Sequence, residues 1–158
     1  DPLVSDIDIN AMLEEMTELF RRELYFNNVR IVRNYQEMLP IIRHNAPQIR
    51  QVFQNLMFNA LAAVEKGGEI HLTTRRLDDM IRVTIWDNGP GISQGVAEKI
   101  FDPLFTTHPG KLGLGLSICR TVLEKTGGAI TYESAPERGT AFVVDLPFRL
   151  KKGNGKNV

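Results

Sequence analysis

"WDNGPGI", residues 86–92, ends a strand on an acid and then sets two glycines around a proline. Val83, Ile85 and Trp86 are β-prone residues that run into Asp87. Asn88-Gly89 alone would make a hairpin turn, so one reading is an ordinary turn leading into a helix. The other is a binding site. An ionised Asp87 only accepts hydrogen bonds, so it suits an exocyclic amino group such as that of adenine. Guanine carries a carbonyl in the corresponding place, and a buried carboxylate facing it loses its partner at about 2–5 kcal/mol. Gly89 and Gly91 allow backbone to approach a flat ligand closely.

Outward from that stretch, hydrophobic periods order the chain. GEIHLTTRR (68–76) and MIRVTIWD (80–87) alternate as strands and meet through Leu77-Asp78-Asp79, a hairpin. The strongest helix lies within NAPQIRQVFQNLMFNALAAVEKGG (45–68). Its stripe is Ile49, Val52, Phe53, Leu56, Ala60 and Ala63, and Gly67-Gly68 is its expected stop. Residues 9–26 place Ile9, Met12, Leu13, Met16, Leu19, Phe20 and Leu24 on one stripe, predicting a single helix capped by Asn10. NVRIVRNY (28–35) reads as a strand, and a short extended piece is expected near Pro40.

Downstream, residues 93–100 predict a short helix. Residues 102–115 show no clean period and contain Pro103, Pro109, Gly110, Gly113 and Gly115; so long an irregular segment inside a compact domain is usually a functional lid or loop. A helix over about 115–126, stopped by Gly127-Gly128, and the strands AITYESA (129–135) and TAFVVDLPF (140–148) complete the set. Such an order predicts an α+β fold. It is an α/β two-layer sandwich, with about three helices on one face of a mixed, mostly antiparallel sheet. Residues 1–150 are expected to form one domain, and the polar KKGNGKNV (151–158) a disordered tail.

Composition sets the outer limits. The 158 residues fit one domain with a sizeable core. Nineteen basic and nineteen acidic residues balance to zero, so there is no global electrostatic footprint for nucleic acid or an anionic membrane. The single cysteine, Cys119, recurs with Leu116, Val122 and Leu123 at helical spacing and reads as a buried small hydrophobe rather than a reactive thiol. A cytosolic compartment fits this usage. No run of about 18 apolar residues is present. The chain begins Asp-Pro without a Met or signal-like segment, which predicts a piece of a longer protein.

Three further constellations could carry chemistry. Asn55 and Asn59 lie four apart, so both leave their helix on one side. They read either as a solvated edge or Asn–Asn contact, or as oxygen ligands for a hard cation such as Mg²⁺. GKLGLGLSI (110–118) brings Gly113 and Gly115 to a helix start, where N–H groups and the dipole suit phosphate, although caps and loops use the same pattern. It is neither a P-loop nor a dinucleotide fingerprint. Phe101 and Phe105 are apolar anchors that would pin the base of the loop. His108 and Lys111 read as solvated loop charges or as groups in reach of phosphate, and His44 and His71 as structural or exposed.

In sequence order, NLMFNA, DNGPGI, FDPLFTT, GLGLS and GTAFVVDLP resemble the ATP-binding domain of bacterial sensor histidine kinases. Theirs is the Bergerat-type (GHKL) fold shared with DNA gyrase B, Hsp90 and MutL. The resemblance spans about residues 5–148. It implies that Asn55 and Asn59 form the N box, with Asn59 the Mg²⁺ ligand. Asp87, Gly89 and Gly91, with Ile92, would be the first glycine box, whose Asp binds the adenine amino group. Phe101 and Phe105 would be the F box, and Gly113, Leu114, Gly115 and Leu116 the second glycine box at the phosphates. Thr140 would help hold adenine, often through water. Three positions depart from the usual pattern. Lys111-Leu112 replace Gly-Thr, His108 stands where Lys often follows the F box, and Ala62-Ala63 occupy a place often basic. Lys111 is then the candidate cation for the γ-phosphate.

The resemblance implies Mg-ATP as cofactor and transfer of the γ-phosphate to a histidine on a separate helical dimerisation domain, with a response-regulator receiver downstream. ATPase relatives resembling gyrase B carry Glu, a base for water, at the position of Asn55; an amide cannot take the proton. The expectation is therefore a protein-histidine kinase catalytic half. It would be cytoplasmic and monomeric by itself, without direct membrane or nucleic-acid contact, and without autophosphorylation when isolated. A GHKL-type ATPase fragment and a non-catalytic adenine-nucleotide-binding module are the alternatives.

Overall fold

The computed structural model of the chain describes residues 2–92, 99–102, 115–134 and 138–149. Its strands are β1 (Val4–Ile7), β2 (Arg30–Asn34), β3 (Ile42–Asn45), β4 (Glu69–Arg76), β5 (Met80–Asp87), β6 (Ala129–Ser134) and β7 (Thr140–Pro147). Its helices are α1 (Ile9–Leu19), α2 (Arg21–Phe26), α3 (Ala46–Ala63) and α4 (Gly115–Thr126).

Alternation builds the main sheet, ordered β2-β4-β5-β7-β6. Ile70, Leu72 and Thr74 of β4, Ile81, Val83 and Ile85 of β5, and Phe142, Val144 and Leu146 of β7 all point to one buried face. The β4–β5, β5–β7 and β6–β7 pairs are antiparallel, while β2 runs parallel to β4 with Arg30 opposite Glu69. Arg82 holds Asp145 by two bonds of 2.8 and 3.0 Å on the opposite face. The expected hairpin closes with Leu77 N–H on Met80 O at 2.8 Å.

The buried face is covered by helices whose own stripes match it. From α3 come Ile49, Val52, Phe53, Leu56, Met57 and Ala60; from α1, Ile9, Met12, Leu13 and Met16; from α4, Cys119, Val122 and Leu123. Helices gathered on one face of a mixed, largely antiparallel sheet are the two-layer sandwich expected from the sequence. Among the described residues, no helix is long and apolar enough to cross a membrane.

Three local expectations change, and one strand is added. The single helix over 9–26 breaks at Phe20 into α1 and α2: the buried stripe stops at Met16, Leu19 is 60% exposed, and only Leu24 of α2 returns to the core. The cap of α1 is Asp8, whose Oδ1 accepts from Ala11 N–H at 3.1 Å, not Asn10. Asn10 instead bonds Gln36 O and Thr74 Oγ1, both at 2.9 Å, tying α1 to β4 and to the connection after β2. Helix α3 stops at Ala63, where Val64 turns extended, ahead of Gly67-Gly68. The strand β1, unmarked by any local period, pairs antiparallel with β3 from Val4 opposite Asn45 to Ile7 opposite Ile42. The helix over 93–100 and the tail 151–158 fall largely or wholly outside the described residues.

His44 on β3 is fully buried; its Nε2 bonds Pro147 O, and its Nδ1 has no partner among the described residues. Burial lowers its pKa from 6.5, against the Pro147 bond. The unfolded chain therefore takes up this proton first, and stability contributed here is lost as pH falls below about 6.5. Urea unfolding of His44→Gln should show a stability about 1–2 kcal/mol lower at pH 8. It should also show a smaller drop between pH 8 and pH 5 than the parent chain; equal drops would exclude His44 as the source.

Candidate functional site

Strand β5 delivers its last inward position, after Ile81, Val83 and Ile85, as a carboxylate. Asp87 is only 3% exposed. Burial pushes it up to about 6, against the pull of the Gly89 N–H that donates to its Oδ1 at 2.9 Å. Its Oδ2 has no partner among the described residues. A carboxylate placed on an apolar face with one oxygen unbonded is destabilising for the fold, which is common where a ligand is bound.

The register puts this carboxylate in a row. Asp87 lies opposite Thr140, and Thr140 lies opposite Ser134. Directly opposed residues share a face, so the three side chains line up across β5, β7 and β6. Thr140 is buried, and its Oγ1 lies 2.9 Å from Ser134 Oγ. The loop after β5 folds against the row: Ile92 N–H donates to Ser134 Oγ at 2.7 Å, and Gly91 turns with φ +79°.

Two glycines permit close crossings here. A Cβ on Gly89 would stand 2.6 Å from Ala63 O, so the loop can rest against the end of α3 only without a side chain. Gly139 has φ +76°, and a Cβ there would stand 1.9 Å from Asp87 O. Trp86 Nε1–H, donating to Arg138 O at 3.3 Å, holds the same crossing from the other side. Asn88 belongs to the scaffold, since it accepts from Glu69 N–H at 2.8 Å and extends the β4 ladder.

On α3 the two asparagines divide. Asn55 Nδ2 donates to Gly115 O at 3.3 Å and lies 3.8 Å from Cys119 Sγ, joining α3 to the start of α4. Asn59, one turn on, is half-buried with no hydrogen bond among the described residues. Gly115 and Leu116 open α4, both half-buried. Phe101 packs on Tyr132 with ring centres 6.1 Å apart and lies 5.6 Å from the Arg120 guanidinium carbon, as expected of an anchor. Cys119 is fully buried, and burial pushes its thiol up to about 11, which fits the small-hydrophobe reading. Phe105, His108, Lys111, Leu112, Gly113 and Leu114 lie outside the described residues.

Residues 44–150 match the family model described as histidine kinase-, DNA gyrase B- and HSP90-like ATPase. The chain belongs to this family. Within it, the sensory histidine kinase/phosphatase NtrB of Klebsiella oxytoca is 37% identical over 152 residues, covering 89% of this chain and 43% of the relative. The chain thus spans less than half of that relative's length. The nucleotide-free catalytic domain of histidine kinase ThkA superposes with a TM-score of 0.86 at 30% identity, over 95% of this chain and 99% of the other. Full-length ShkA in complex with AMPPNP superposes with a TM-score of 0.84 at 25% identity, over 95% of this chain and 32% of that one. ThkA bound to the response regulator TrrA superposes at 0.82 and 30% identity, over 95% of this chain and 43% of that one. The chain is an ATP-binding catalytic domain of the sensor histidine kinase type.

Two neighbours of Asp87 and Thr140 received no role of their own from the sequence, Ser134 and Gly139, the latter quoted only as the first residue of GTAFVVDLP. Gly139 carried a legible signal, a glycine at the mouth of a hairpin directly before Thr140. Ser134 carried none, since its place depends on the β6–β7 register.

Proposed function

We propose that the domain binds Mg-ATP between α3, the loop after β5 and the start of α4, and donates the γ-phosphoryl group to a histidine of a separate helical phosphoacceptor domain. The observation that carries this reading is Asp87, a buried carboxylate with one oxygen already held by Gly89 and the other without a hydrogen bond among the described residues. Its acceptor-only edge suits the adenine amino group. The second support is Asn55, an amide engaged with Gly115 O at a place where hydrolysing relatives need a base. Without that base, ATP is held for another acceptor.

Asn59 fits a magnesium ion accompanying the nucleotide: a neutral oxygen donor, half-buried and without a hydrogen bond among the described residues. The ion would supply charge neutralisation on the phosphates. The chain's own residues would orient the base through Asp87, Gly89, Gly91, Ile92 and Thr140, and the second glycine box, Gly113, Leu114, Gly115 and Leu116, would supply backbone N–H groups to the phosphates. Phe101 and Phe105 would be the anchors of the F box, and Lys111 the cation for the γ-phosphate. Residues 1–150 act as one unit, cytoplasmic and monomeric by itself. Its partners are the phosphoacceptor domain and a response regulator, the latter supported by the ThkA–TrrA complex.

Mixing the chain with its parent's phosphoacceptor domain and γ-labelled ATP should place label on that domain's histidine. Asn59→Ala should lower the rate by about 100-fold or more with the fold intact. Absence of label, with steady release of free phosphate instead, would refute the kinase reading in favour of an ATPase.

A further inference from the structure

Ser134 has one proton and three polar neighbours, and its surroundings decide where that proton goes. Ile92 N–H can only donate to Ser134 Oγ, at 2.7 Å. Gly139 O can only accept from it, at 3.1 Å. All three contacts are made at once only when Ser134 donates to Gly139 O and the Thr140 hydroxyl donates across the remaining 2.9 Å to Ser134 Oγ. The Thr140 hydroxyl has no other hydrogen bond among the described residues, so with its proton on Ser134 it turns only oxygen lone pairs toward the site. Beside it in the same row stands Asp87, which when ionised offers only lone pairs as well.

We propose that Ser134 is a positioning residue for nucleotide selection: by taking the Thr140 proton it makes Thr140 an obligate acceptor. Asp87 and Thr140 then together select a donor-bearing purine edge, directly or through a bridging water. Ser134 touches no nucleotide itself. It also joins the loop after β5, through Ile92, to the β6–β7 connection, through Gly139. The inference rests on the proposed ATP site and adds to it the reason a hydroxyl next to Asp87 cannot serve a carbonyl.

Without Ser134 Oγ the Thr140 hydroxyl is free to turn its proton outward, where it can meet the carbonyl of guanine. Calorimetry with ATP, GTP and purine riboside triphosphate in Mg²⁺ reads this directly. Ser134→Ala should weaken ATP by about five- to tenfold and leave GTP unchanged or tighter, narrowing the ATP/GTP ratio. Purine riboside triphosphate, which lacks the amino group, should lose less than ATP. Ser134→Thr should restore the parent ratio. In a Thr140→Val background the Ser134→Ala change should no longer alter the ratio, because its effect passes through Thr140. Thermal melting without nucleotide separates a general loosening from this role. An equal loss for ATP and GTP, or an ATP/GTP ratio still moved by Ser134→Ala in the Thr140→Val background, overturns the inference. Failure of the parent chain to bind ATP would instead sink the underlying site.

Discussion

Asp87→Asn should abolish useful ATP binding while making the free domain more stable. The carboxylate has Oδ1 on Gly89 N–H at 2.9 Å, and Oδ2 has no hydrogen bond among the described residues. An amide keeps the first contact but then presents its NH₂ where Oδ2 stood, donor against the donor of adenine. Flipped, it sets its NH₂ against Gly89 N–H. Either way ATP affinity should fall by about 100-fold or more, with the preference shifting toward GTP. Stability moves the other way. Burial raises Asp87 from 3.8 to about 6, so its ionised form weakens the fold above that pH. The penalty is fully present above about 6 and vanishes below 3.8, where folded and unfolded chains are both protonated. Relief by Asn should be worth about 1–2 kcal/mol at pH 8, allowing for water at the mouth of the site. That gain should shrink as pH falls toward 4. In the parent chain, ATP affinity should fall by up to about tenfold per pH unit below about 6. Calorimetry and urea unfolding across pH check both halves; a variant that binds ATP normally would remove Asp87 from the site.

Gly139→Ala is the second large effect, and it acts through backbone. The residue has φ +76°, and a Cβ would lie 1.9 Å from Asp87 O and 3.2 Å from Asn88 Cα. None of these atoms belongs to a flexible side chain, so the crossing itself must open. Left-handed strain and overpacking together should cost about 3 kcal/mol. The displacement should also spoil the spacing of Thr140 against Asp87, with a loss of ATP affinity in whatever protein stays folded. Gly67→Ala is the control. It shares a positive φ, +83°, but a Cβ there meets nothing within 4 Å. It should cost about 1 kcal/mol and leave nucleotide binding alone. Equal costs at the two positions would show that conformational strain, not the close crossing, accounts for Gly139.

Much of the site was legible because its pieces sit at the ends of strongly periodic elements. Alternation along Ile81, Val83 and Ile85 already assigns Asp87 to the inward face, and a charge there demands a reason. The four-residue spacing of Asn55 and Asn59 likewise assigns them to one side of α3. What periodicity could not say is that they do different things, Asn55 joining α3 to α4 while Asn59 has no hydrogen bond among the described residues. The break at Phe20 escaped because the apolar spacing runs on through Leu24 while burial does not. The capping residue of α1 was misplaced by two positions because both Asp8 and Asn10 suit a cap, and only the contacts of Asn10 with Gln36 and Thr74 take it out of contention.

By itself the sequence determined the two-layer α+β architecture, the hairpins, and the presence of an inward carboxylate followed by Gly-x-Gly. Each of these depends on which residues within a short stretch avoid water. Only the tertiary structure decided that Ser134, Thr140 and Asp87 form one row, that Gly139 crosses against Asp87, and that Ser134 Oγ lies between Ile92 N–H, Gly139 O and Thr140 Oγ1. Those facts depend on the register between strands distant in sequence. Register is set by the whole sheet and the helices packed on it, so no local pattern of apolar and polar residues can carry it.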